Sequence, residues 1–198
     1  MKYAFARAAL AAVIALAAAC GDASQSSTSP DASPALARSA SQGSHSRQGF
    51  GFNGTVSGFP TGVVFLTGGG SYDIATASNV VPTDTRVSGG GGFRCTDAVA
   101  QGPLNGCAAG EGVRWDSVQL LASTNFKCTA ADAVKLAVTG DDTVVLLADF
   151  YRAGDGIDES FTAQMIVSET DLAPNIDGEQ TLWIQGVGCG DAVANFAR

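Results

Sequence analysis

In the segment Glu159-Ser160-Phe161-Thr162-Ala163-Gln164-Met165-Ile166-Val167-Ser168, apolar side chains fall on Phe161, Ala163, Met165 and Val167, with Thr162, Gln164 and Ser168 polar. A period of two is a half-buried strand, and it does not suit a helix, whose apolar residues recur every three or four. Upstream, Thr143–Tyr151 is β-branched and aromatic enough for a central strand, and Ala153–Asp158 supplies turn residues, so the two runs predict a hairpin. Further strands are expected at Gly62–Leu66, Ser71–Ala75, Thr85–Val87, Phe93–Thr96, Val113–Leu121, Ala133–Val138, Gln180–Val187 and Asp191–Ala197. Glycine-rich runs such as Gly68-Gly69-Gly70, Gly89-Gly90-Gly91-Gly92 and Gly188-Cys189-Gly190 are expected to separate them. Helix is the rival only near Thr129-Ala130-Ala131-Asp132, which has the form of an N-cap with an acid three residues on. Many short strands with glycine turns indicate an all-β domain, either an antiparallel sandwich or a barrel, and the pattern does not separate the two. Residues 49–198 are of a size for one such domain with a substantial core.

Cysteine usage narrows the setting. Cys95, Cys107, Cys128 and Cys189 are an even set with gaps of 12, 21 and 61 residues. A four-thiolate zinc site brings its ligands in pairs two to four residues apart, so two disulfides are the expectation. The favoured pairing is Cys95 with Cys107 across a Gly/Pro loop and Cys128 with Cys189 between distant strands. Gly49-Phe50-Gly51-Phe52-Asn53-Gly54 matches a dinucleotide-binding pattern, but it follows a Ser-rich stretch instead of a strand and opens no helix, so it is expected to be a chance match.

The N-terminus carries Lys2 and Arg7, then 12 uncharged, mostly apolar residues from Ala8 to Ala19. That run is too short to span a bilayer, which takes about 20 residues, and it has the form of an export signal. Leu16-Ala17-Ala18-Ala19-Cys20-Gly21 resembles the lipobox of bacterial lipoproteins, in which the cysteine becomes the lipidated first residue. The resemblance covers about the first 21 residues. It implies a signal peptide over 1–19, acyl chains on Cys20 and a place in the cell envelope, at the outer membrane or cell surface, with plain secretion as the alternative. Residues 21–48 hold nine serines and no aromatic residue, a composition with too little to bury, so 20–48 is expected to be a lipidated cysteine followed by a disordered tether.

Charge excludes some partners. Residues 49–198 carry 7 Lys and Arg against 17 Asp and Glu, a net charge of −10, and 141–198 alone carry 11 acids against Arg152 and Arg198. Such a surface repels a phosphate backbone, so no nucleic acid is expected. The only histidine, His45, stands in the tether, which leaves the domain without an imidazole base or ligand. Two groups remain as candidates. Asp155, Asp158 and Glu159, joined by Asp177 from a second turn that also holds Asp171, Asn175 and Glu179, could offer oxygen ligands to calcium. Trp183 alternates with Leu182 and Ile184, so it lies on the polar face of its strand, where it could meet a protein or carbohydrate ligand or lie under a covering loop. The expected function is therefore a non-catalytic envelope lipoprotein with a disulfide-stabilised, acidic β domain in a binding or structural role. The alternative is a carboxylate-dependent hydrolase of envelope or extracellular polysaccharide.

Overall fold

The computed structural model describes residues 47–80, 85–152 and 160–198. Among them, eight strands close into an antiparallel barrel, which decides between the two expected architectures. Their order is β1 (Gln48–Gly58), β2 (Val63–Tyr72), β3 (Val87–Asp97), β4 (Arg114–Leu121), β7 (Thr143–Tyr151), β8 (Ser160–Ser168), β9 (Leu182–Ile184) and β10 (Gly188–Gly190), and β10 pairs back onto β1. The last strand, β11 (Ala192–Ala197), follows β10 along the same neighbour, from Gly54↔Ala192 to Gly49↔Ala197. The expected hairpin is present as β7 and β8, in register from Thr143↔Ser168 to Tyr151↔Ser160.

Side chains fill the barrel, as the bore of eight strands allows. Phe50, Phe52, Leu66, Phe93, Trp115, Phe150 and Met165 interlock in it, and Phe52 and Trp115 rings lie 5.7 Å apart. One end is plugged by the 98–112 loop, whose Val99 and Leu104 join the interior cluster and which the Cys95–Cys107 disulfide ties to β3. At the opposite end of β2, the Tyr72 hydroxyl lies 2.9 Å from Gln48 Oε1 and 2.8 Å from Gly140 O, and Gln48 Nε2 donates to Asp141 at 2.6 Å.

Several expected boundaries are corrected. The glycine runs are not turns: Gly68, Gly69 and Gly70 pair with Gly91, Gly90 and Gly89 in the middle of β2 and β3. A Cβ on Gly91 would stand 1.9 Å from Thr67 O, and one on Gly69 would stand 2.3 Å from Phe50 O. Glycine is there because neighbouring backbones approach too closely for any side chain. Gly49–Gly54 is part of β1 and opens no helix, so the nucleotide pattern is a chance match. Gly188-Cys189-Gly190 is itself a strand, and Gly186, at φ 87°, takes the turn before it. At Thr129, Asp132 Oδ2 does accept from the Thr129 N–H at 3.1 Å, as a capping box would, but the chain closes there into a turn and β6 (Lys135–Val138) follows.

Between β4 and β7 the ribbon continues as an arm made of β5 (Ser123–Phe126) and β6, paired from Ser123↔Val138 to Phe126↔Lys135. It bends at Thr139, whose N–H donates to Ala122 O at 3.0 Å and whose hydroxyl donates to Leu121 O at 2.6 Å and accepts from Val145 N at 3.1 Å. The bend lays Phe126 and Ala137 over Val145, Ile166 and Trp183, outward-facing side chains of β7, β8 and β9. The Cys128–Cys189 disulfide pins the tip of the arm to β10, so both expected cysteine pairs are present.

Candidate functional site

The end of the arm and the rim of the barrel enclose a groove of about 240 Å³, lined by Phe59, Pro60, Asn125, Phe126, Lys127, Val134, Trp183 and Gly186. Each wall has a cause in the local fold. Phe59 N donates to Val187 O at 3.0 Å, which carries β1 pairing one residue further and sets the ring beside the β9–β10 turn. Trp183 points outward because Leu182 and Ile184 take the interior. The Phe126 ring centroid lies 6.0 Å from that of Trp183, and Trp183 Nε1 donates to Lys127 O at 3.1 Å. With 6% of its surface exposed, the indole is a wall under a covering arm.

Lys127 is, among the described residues, the one charged side chain lining this groove. Its Nζ donates to Ala130 O at 2.9 Å and sits 5.9 Å from the centre of the Phe59 ring. Among the described residues it makes no ion pair, whereas Arg86, Arg114, Lys135 and Arg152 each have a carboxylate within 4 Å. Beyond Val134 the exposed face of β6 continues with Leu136 and Val138, so an aliphatic stripe leads away from the groove.

Sequence reasoning named Trp183 but missed Phe59, Phe126 and Lys127. The four residues of β5 are too few for alternation to register, although Thr124 and Phe126 both face inward just before Cys128. Of the calcium candidates, Asp155, Asp158 and Glu159 lie outside the described residues, as does Cys20. Asp177 is exposed, and its backbone oxygen accepts from Gln180 Nε2 at 3.5 Å. In the same loop Asp171 Oδ1 accepts from Ala173 N at 2.8 Å and Gln180 N at 3.1 Å. Asn175 links Asp132 to Lys135, at 3.0 and 2.9 Å, and its hydrogen bond, followed by the Lys135 charge, holds the Asp132 carboxyl below the usual range. Asp171 thus braces its own loop, and Asn175 ties that loop to the arm. Among the described residues no three histidines, cysteines or carboxylates are grouped as a metal would need.

Two other clefts are more polar. One, of about 380 Å³, runs along the Cys128–Cys189 disulfide past Thr55, Ser57, Gln180 and Asp191, and another, of about 250 Å³, is lined by Arg47, Asp73, Arg86 and Val87. Neither brings two carboxylates of the described residues together. The fold and its staples define a disulfide-stabilised closed β-barrel with a folded-over arm. No family model, curated protein or solved structure matches the chain, so function is argued from its own residues.

Proposed function

We propose that this chain is a lipid-anchored protein of the bacterial cell envelope, in which the barrel is a rigid support and the groove between arm and rim is a binding site. The observation that carries the binding role is the groove itself: three aromatic rings and a proline around one lysine that has no acidic partner among the described residues, in a domain of net charge −10. Two disulfides suit an oxidising compartment, and the signal-like N-terminus ending at Cys20 supplies the anchor. Each buried acyl methylene contributes about 0.8 kcal/mol, so a multiply acylated Cys20 holds the domain at a membrane without a transmembrane helix. The hydrolase reading has no comparable feature among the described residues. Membrane fractionation of the native host tests the anchor: the full chain is expected in the membrane fraction with an acylated N-terminal cysteine, and Cys20→Ala is expected to release it. An unmodified N-terminus beginning downstream of Cys20 would overturn that part.

A further inference from the structure

We infer that the groove takes a single apolar ring carrying one acidic group, with Lys127 as the charge partner; this rests on the groove being the binding site. Size sets the first limit. At about 240 Å³ the space falls below the ~300–1,000 Å³ of sites for drug-sized ligands, which leaves room for one ring and a short substituent.

Chemistry sets the second. A sugar ring presents several hydroxyls, and each one buried without a partner costs binding free energy. Among the described residues the groove offers it only the Asn125 amide and the Lys127 ammonium as polar side chains, because the indole N–H of Trp183 is already given to Lys127 O. A flat hydrocarbon ring asks for no such partners and fits walls made of Phe59, Phe126, Trp183 and Val134.

The charge on the ligand follows from Lys127. An ammonium has three donors, and here one goes to Ala130 O while no carboxylate of the described residues lies within 4 Å. The rest of the domain is acidic and opposes an anion at long range. At ordinary ionic strength that opposition is screened beyond about 10 Å, whereas Lys127 acts inside the groove at contact distance, so the local attraction wins.

The test uses the full chain carrying Cys20→Ala, with phenylacetate, its neutral counterpart phenylacetamide, and maltotriose as probes in isothermal titration. Phenylacetate is expected to bind about tenfold more tightly than the amide, the weight of one charge-assisted hydrogen bond. Lys127→Met, which keeps the aliphatic stem and the backbone oxygen that holds Trp183, is expected to remove the preference for the acid over the amide. Phe59→Ala is expected to weaken both. Equal binding of acid and amide to the unmutated chain would overturn the acidic-group inference while leaving an apolar binding groove standing. No binding of either, or binding of maltotriose alone, would overturn both. Because the acid and amide are compared on the unmutated chain, the result stands even if a variant does not fold.

Discussion

Trp183 donates its indole N–H to the backbone oxygen of Lys127, 3.1 Å away and 56 residues earlier in the chain. This bond joins barrel to arm beside the Cys128–Cys189 bridge, so the same two links that hold the arm down also shape the groove.

The bridge is therefore a large part of the fold's stability. Closing a loop of 61 residues is expected to contribute about 4 kcal/mol in the chain-entropy model, and the 12-residue Cys95–Cys107 loop about 3 kcal/mol. Urea unfolding of Cys128→Ser/Cys189→Ser should show a loss near the first figure. A loss under about 1 kcal/mol would mean that the arm is not held as described.

The glycine-paired strands give a sharper contrast. Gly91→Ala would put a methyl 1.9 Å from Thr67 O, and neither backbone can withdraw without breaking the ladder, so it is expected to lower the melting temperature severely or prevent folding. Gly140→Ala meets nothing within 4 Å and is expected to stay within about 0.5 kcal/mol of the parent. Thermal melts of the two proteins check this, and equal tolerance would refute the close approach of β2 and β3.

How far the sequence announced this structure depended on the length of each pattern. Nine-residue β8 alternates long enough to be read, nine-residue β7 is β-branched and aromatic enough to be read as a strand, and an even set of widely spaced cysteines predicts both disulfides. The Gly68–Gly70 and Gly89–Gly92 runs misled because glycine has two uses, left-handed turns and close backbone contact, and only the neighbouring strand tells them apart. Trp183 could be placed on the outer face, but its cover comes from an arm folded back from β4 and β7. Phe59 and Lys127 reach it from 124 and 56 positions away, through tertiary packing that no local period records.

Alkaline pH should act through Tyr72. Burial first, then the charges of Asp141, Asp142 and Glu169, raise its phenol well above the ordinary value of 10.0. The unfolded chain thus loses this proton near pH 10 while the folded chain keeps it, so the contribution is complete below pH 10 and is lost as pH rises beyond it. Stability of the parent from pH 9 to 11 is expected to fall more steeply than that of Tyr72→Phe, which starts lower for want of the Gln48 and Gly140 contacts. Parallel curves would contradict the assignment.

Acrylamide quenching of Trp183 tests the central claim most directly, with its emission isolated by difference from Trp183→Phe. The claim is that the arm, locked by Cys128–Cys189, covers Trp183 and forms the binding groove. In the disulfide-intact full chain quenching is expected to be weak and to weaken further with saturating phenylacetate. In Cys128→Ser/Cys189→Ser it should rise several-fold and no longer respond to phenylacetate. Equal quenching in the two proteins, with and without the probe, would contradict the claim.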